Sequence, residues 1–272
     1  MSDNSAIGWT DATWNPITGC TKVSEGCLNC YAERMAKRLR GRYDYPRKNP
    51  FKVTLHPDRL DEPRRWRIPR RIFVCSMGDL FHCDVPDAHI DKVWATMLDA
   101  CQHIYIVLTK RPYRMYDWLA SRIARGAIPN HIWLGVSIEN KANIRRLYSL
   151  RQHKAKLFVS FEPLLGRIDF DPTGLDWVII GCESIGQVAG RLLIDADEPE
   201  PLAANAENAW YSAAEIIVQR CDQAGVPVFV KQIPTEGRLE TDVTRFPLGL
   251  QYQRWPAPMT NHLLDCKNEI GC

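Results

Sequence analysis

Three cysteines fall in the run Thr18-Gly19-Cys20-Thr21-Lys22-Val23-Ser24-Glu25-Gly26-Cys27-Leu28-Asn29-Cys30-Tyr31, spaced C-x6-C-x2-C. Thiolates bind iron and zinc, and three on one short loop make a metal-binding pattern rather than a set of core residues. A structural zinc site closes a tetrahedron with four protein ligands. Zinc here would therefore need a distant fourth residue, with His56, His82, Cys83 and Cys266 as candidates. A cubane 4Fe–4S cluster on three thiolates instead leaves one iron open to a small molecule. The lack of a fourth ligand nearby in sequence favours the cluster. Gly19 and Gly26 precede the first two cysteines, and glycine backbone can wrap closely round a bulky cofactor.

The elements that must carry this loop show in the middle of the chain. Short, nearly continuous apolar runs alternate with helix-patterned stretches: RIFVCS (71–76), HIYIVLTK (103–110), HIWLGVS (131–137), KLFVSF (156–161), DWVIIG (176–181) and VPVFVKQI (226–233). Helices are expected from about Pro86 to Cys101, from Pro112, up to about Leu150, and from about Glu207 to Ala224, with an irregular return after KLFVSF. Apolar strands covered by helices and joined by crossovers imply a parallel sheet. Six such units predict an α/β fold of the partial (β/α)6-type parallel barrel, spanning residues 1–233, with a C-terminal extension over 234–272.

Polar residues stand where the runs end: Ser76 and Asp79, Thr109 and Lys110, Ser137 and Glu139, Ser160 and Glu162, Glu183 and Ser184. In a parallel barrel the carboxyl ends of the strands converge on one rim, so these groups are expected to share a polar site. Cys75 and Cys182 are expected to face the barrel interior or to serve as small core residues; Cys101 and Cys221 fall in helical patterns. Trp9 and Trp14 flank an N-terminal turn and are expected to anchor it or to cover the cysteine loop.

The chain has 272 residues, 45% hydrophobic and 25% charged, which excludes a disordered or fibrous protein. No stretch approaches 18 consecutive apolar residues, so no membrane span is expected. The start Met1-Ser2-Asp3-Asn4-Ser5 lacks a basic region followed by an apolar run, which predicts a cytoplasmic location. Net charge is +3, but Tyr31 to Arg71 holds 14 Lys/Arg against 5 Asp/Glu. There KRLRGRYDYPRK and RRWRIPRR interleave basic and aromatic residues, a pattern that suits phosphates and stacked bases. Arg64, Arg65 and Arg67 are the candidate nucleic-acid contacts.

The run GCTKVSEGCLNCYAERMAKR resembles the cluster loop of radical S-adenosylmethionine (radical SAM) proteins, in particular their spore photoproduct lyase-like branch. Three extra residues separate the first two cysteines relative to that branch's usual pattern. SMGDLF, LTKR and LGVSIEN resemble its strand ends. Together with WTDATWNPITGC, FVSFEPLLGRIDF and LDWVIIGCES, these motifs resemble a phage-associated three-cysteine-motif family of radical-SAM-like proteins, through about Gln232. This chain reads Gly181-Cys182-Glu183-Ser184 where many relatives read Gly-Gly-Glu-Ser, and Gly78 stands where Ser or Thr often precedes the aspartate.

The resemblance implies a 4Fe–4S cluster on Cys20, Cys27 and Cys30, with SAM on its fourth iron. An electron from a reductase or flavodoxin would cleave SAM to methionine and a 5′-deoxyadenosyl radical. Lys110 would pair with the SAM carboxylate, Ser137 would hydrogen-bond the ligand, and Glu183 would receive its amine. Tyr31 would pack by the cluster, with Ser76, Asp79 and Glu162 as further rim groups. Cys75 or Cys182 could return a hydrogen atom to a product radical. The expected function is radical SAM chemistry on a nucleic-acid base or nucleotide, in the host cytoplasm if phage-encoded. The alternative is a non-catalytic, zinc- or cluster-stabilised protein that binds nucleic acid or acts between phage and host.

Overall fold

The structure is a computed structural model that describes residues 5–123, 128–184, 206–236 and 238–257. Its elements in chain order are β1 (Ala12–Trp14), β2 (Ile17–Thr18), α1 (Tyr31–Arg38), β3 (Thr54–Leu55), α2 (Glu62–Arg65), β4 (Arg71–Val74) and α3 (Asp87–Asp99). There follow β5 (Ile104–Thr109), α4 (Pro112–Arg122), β6 (Ile132–Ser137), α5 (Arg145–Leu150), β7 (Lys156–Phe161), β8 (Trp177–Gly181), α6 (Ala206–Gln223), β9 (Val228–Thr235) and β10 (Arg238–Glu240). Eight strands form one sheet in the order β1-β4-β5-β6-β7-β8-β9-β10. All its pairs are parallel except β9 with β10. β1 and β10 form the two edges, so the sheet is an open, partial barrel.

The six expected strands are β4 to β9, and β7 has the expected bounds of 156 and 161. Strand β1, which extends the sheet through Ala12↔Ile72 to Trp14↔Val74, was not legible as a strand. It is too short for any alternation to show. The strand expected over 71–76 ends at Val74, because Cys75 turns into the left-handed region with φ of 60°. The division expected at 233/234 lies within β9, and β10 folds back on that strand. Gln253 then bridges to Phe229, and Trp255 packs 4.9 Å from the Phe229 ring.

Alternation along the strands splits the core in two. Phe73, Ile104, Ile106, Trp133, Phe158, Trp177, Ile179 and Phe229 form one buried cluster with Trp9. Their neighbours Ile72, Val74, Tyr105, Val107, Leu134, Val159, Val178 and Val230 join the second cluster, with the helices. Successive strand residues point to opposite faces, so this parity is what a sheet buried on both sides requires. Helix α3 covers its face with Ile90, Val93, Trp94 and Met97, at the spacing of one helical stripe. Helix α4 opens on Pro112, whose missing N–H costs nothing at a first turn, and buries Met115, Trp118 and Leu119. Among the described residues, no helix is long and apolar enough to cross a membrane.

Candidate active site

Cys20, Cys27 and Cys30 line one cavity of about 390 Å³ at the carboxyl ends of the strands. Tyr31, Ser76, Asp79, Lys110, Ser137, Glu162 and Glu183 line the same cavity. Trp9 and Phe73, from the inner apolar cluster, also contribute to its wall. Trp9 thus borders the site, whereas Trp14 lies in β1 with its Nε1 donating to the Arg59 carbonyl at 2.7 Å.

The cysteine loop is fastened to successive strand ends. Gly19, with φ of 85°, donates its N–H to the Met77 carbonyl at 2.9 Å and bridges Gly78. A Cβ there would sit 2.2 Å from the Lys52 carbonyl oxygen, so only glycine fits. Farther along, Ser24 donates to Glu139 Oε1 at 2.8 Å, and Asn140 donates to Glu25 Oε2 at 2.8 Å, just beyond β6. Gly26 lies against Glu139, where a Cβ would come within 2.4 Å of Cγ. Asn29 donates to both oxygens of Glu183 at 3.2 Å, beyond β8. Cys30 then caps α1, and the Tyr31 hydroxyl donates to the Ser76 carbonyl. Ser76 is held in turn by Asn15 through its hydroxyl, and Asn15 Oδ1 also accepts from Met77 N at 2.8 Å.

Arg111, which sequence reasoning did not place in the site, and Glu139, which it placed at the rim without a role, organise it. Arg111 donates from Nη1 to Cys20 Sγ at 3.3 Å and to Asp79 Oδ2 at 2.9 Å. Its Nη2 reaches the Thr21 carbonyl at 2.9 Å. Burial and the Asp79 charge push the Cys20 thiol up to about 11, and the Arg111 guanidinium opposes them. Glu139 is fully buried between Lys110 Nζ at 2.6 Å and Arg146 Nη1 at 2.8 Å. Burial disfavours its charge, but the two cations outweigh that and hold the carboxyl below its ordinary value. Arg111 stood in the LTKR motif and Glu139 at a strand end, yet nothing in the sequence indicated which partners they would meet.

The expected ligand groups differ in what they have left to offer. Asp79 already accepts from Thr109 Oγ1, Phe81 N, Lys110 N and Arg111, which uses the capacity of a carboxylate. Those bonds hold Arg111 and the end of β5 in place. Lys110 gives one bond to Glu139 and one to the Glu162 carbonyl, leaving one of its three donors for the cavity. Glu162 accepts from Lys231 at 2.7 Å and from Ser160 at 3.1 Å. Cys75 and Cys182 are buried and line the cavity. Burial pushes both thiols up, Cys182 to about 12, so at neutral pH each keeps its proton.

Arg64, Arg65 and Arg67 lie elsewhere. The Pro63 carbonyl in α2 meets His103 Nε2 at 2.9 Å, and His103 directly precedes β5, whereas the cavity residues follow its other end. Six residues of strand, about 20 Å, separate the two ends. Arg64 is moreover ion-paired with Asp61 and Asp99, while Arg65 and Arg67 are exposed. The structure does not bring these three to the site.

The donor set distinguishes the two metal chemistries. Four thiolates around zinc lie about 3.8 Å apart, given its bond length. Among the described residues, the group whose ligand atoms all lie within 4.8 Å of one another is His82, Cys83 and Asp84, not the three cysteines. The wider spread, on one loop facing a cavity, fits a multi-iron cluster better than a single ion. His82 is committed through Nε2 to Thr21 Oγ1 at 2.8 Å and through Nδ1 to Asp84 N at 3.0 Å, which disfavours metal on that trio. His56 bonds Thr18 Oγ1 at 2.8 Å. Cys266 and Cys272 lie outside the described residues.

His56 also sets an acid limit on the fold. Burial and the Arg59 charge lower its pKa to about 4, and burial lowers those of His82, His89 and His153. An unfolded histidine titrates near 6.5. In the window between about 6.5 and 4 the unfolded chain therefore binds more protons, and stability rises with pH. Acidification through that window is expected to cost roughly 3 kcal/mol from His56 alone. Urea midpoints across the range should fall with pH, and less steeply in His56→Gln. A flat profile would refute the assignment.

A family profile described as a protein of unknown function, DUF5131, matches residues 4–245. No curated protein matches the chain. Among solved structures, a single-site mutant of spore photoproduct lyase is similar with a TM-score of 0.50 and 13% identity, over 86% of this chain and 79% of that one. Spore photoproduct lyase complexed with dinucleoside spore photoproduct gives a TM-score of 0.44 at 12% identity, over 99% and 76%. A mutant of that enzyme with bound AdoMet and dinucleoside spore photoproduct gives 0.41 at 11%, over 93% and 59%. At such identities the likeness is one of fold alone, and it rests on the first of these.

Proposed function

We propose that this chain, which belongs to the DUF5131 family, is a radical SAM enzyme that modifies a nucleic-acid base or nucleotide. One observation carries the reading: three half-exposed cysteines of a single loop line a rim cavity together with the polar ends of the strands. The fold likeness to spore photoproduct lyase agrees with it. The cavity volume suits a small-molecule site, for which about 300–1,000 Å³ is usual.

Cys20, Cys27 and Cys30 would hold the 4Fe–4S cluster, and SAM bound beside it would supply a carbon-centred radical after one-electron reduction. The protein's part is to orient and to exclude competing reactions. Arg111 donates to Cys20 Sγ, and such a bond to a ligand sulfur favours the more negative, reduced state of a cluster. The spare donor of Lys110 would receive the ligand carboxylate. Glu183, oriented by Asn29, would accept from its amine. Ser137 would offer a hydroxyl, and Tyr31 would cover the loop. Cys75 and Cys182, protonated in the cavity wall, are placed to donate a hydrogen atom. Lys110, Arg111 and Lys231 supply the cavity's cations, each already paired with a carboxylate, Glu139, Asp79 and Glu162 respectively.

The test is anaerobic reconstitution. The reading requires about four irons and four sulfides per chain, a broad visible absorbance that dithionite bleaches, and reductive release of 5′-deoxyadenosine from SAM. Stoichiometric colourless zinc, or a bleachable cluster with no such release, would overturn it.

A further inference from the structure

A second cavity of about 310 Å³ opens beside the first, and Lys110 and Arg111 line both. Its other walls include Arg114, Arg145, Arg146 and Tyr113. No carboxylate lines it among the described residues. The acids that balance these cations are Glu139, paired to Lys110 and Arg146, Asp79, paired to Arg111, and Asp87, paired to Arg114. Each arginine pair occupies only part of its guanidinium's five donors and fixes its orientation. Arg114 spends Nη2 on Asp87 and the Val85 carbonyl, while its Nε has no acceptor among the described residues. Arg145, in the first turn of α5, is exposed and pairs with no described acid. Five cations therefore face the cavity against three carboxylates that do not.

A rigid set of forked donors selects an oxyanion with several acceptor oxygens, above all a phosphate. Exposed Tyr113 adds an aromatic face on which a base can stack whatever its sequence. Lys110 and Arg111, which line both cavities, put that anion beside a group held in the first. A base buried in a duplex could not enter such a pocket, so the strand must be single or locally opened.

We propose that this second cavity is a phosphate subsite, which holds a backbone phosphate of a single-stranded nucleic acid while the neighbouring nucleotide occupies the first. The proposal rests on the reading of a nucleic-acid substrate given above. It moves the strand contact from Arg64, Arg65 and Arg67 to the rim that carries the cysteines.

Binding of a fluorescent single-stranded oligonucleotide to the full chain, measured against salt concentration, tests it. Arg145→Ala is expected to weaken binding about tenfold and to lower the log–log salt slope by about 0.7, the value for one lost single-strand phosphate contact. Arg145→Glu should weaken it further, and Arg65→Ala should match the wild type. Arg145 has no described partner to strand, so both variants should fold. Unchanged affinity and slope in both Arg145 variants, or no oligonucleotide binding by the wild type, would overturn the proposal. Arg145 dependence for a nucleoside monophosphate but not for the oligonucleotide would assign the subsite to free nucleotides and equally overturn the strand. Release of 5′-deoxyadenosine without substrate, measured on the wild type in parallel, separates this proposal from the radical reading. If that release is absent in the wild type while Arg145-dependent binding persists, the radical reading fails and the subsite stands.

Discussion

Replacing any one of Cys20, Cys27 or Cys30 by alanine is expected to abolish iron retention and visible absorbance and to leave the folded protein intact. The effect should be all-or-none, because a cluster on three thiolates has no ligand to spare. The fold should survive because sulfur does not hold the loop. Gly19 bridges Gly78, Ser24 reaches Glu139, and Asn29 reaches Glu183, each independently of a metal. Beneath them lies an eight-stranded sheet with two apolar clusters. A structural zinc domain behaves in the opposite way, since its metal-binding energy is folding energy. Iron and sulfide content and far-ultraviolet circular dichroism of Cys30→Ala check the expectation together. Loss of secondary structure with loss of metal would overturn the cluster reading, as would undiminished iron.

Glu139→Ala is expected to be among the most damaging substitutions for stability, at about 3–5 kcal/mol, the cost of breaking a buried ion pair from one side. Glu139 is fully buried between Lys110 and Arg146, so its removal strands two cations and the Ser24 hydroxyl. The cysteine loop should loosen as well, because Ser24 and Gly26 both rest on this side chain. Urea denaturation reads the first effect, and faster alkylation of Cys27 reads the second. The pH dependence has a definite sign. The Glu139 carboxyl is held below its ordinary value of 4.5, so its contribution is complete above that pH. As pH falls through the lowered value the contribution disappears, and the wild type should approach Glu139→Gln. Equal stability of the two at neutral pH would show that the carboxylate's charge stabilises nothing.

The cysteine spacing and the period of the strands are properties of neighbouring residues, and they were readable in the chain. Three thiols within one loop share a site by proximity alone. Six apolar runs with polar ends predict a barrel rim, because parallel strands must all end on the same side. Eight of the ten polar residues picked out at the strand ends line one cavity with the cysteines, and Glu139 and Ser160 do not. The charge run over Tyr31 to Arg71 was readable too, but not its address. Arg64 follows a turn that docks at the amino end of β5, on His103, while Arg111 follows the carboxyl end. A sequence count of cations is blind to which end of a sheet they reach.

What the sequence determined by itself was therefore the three-cysteine loop, the parallel α/β architecture and the rim on which polar groups gather. Only the tertiary structure decided that Arg111 meets Cys20, that Glu139 lies buried between two cations, and that five basic residues line a second cavity. The reason is physical: period and spacing act between residues a few positions apart. Burial, hydrogen bonding and ion pairing act between residues as distant as 154 positions, Asn29 and Glu183, or 91, Cys20 and Arg111, which meet only after the sheet has folded.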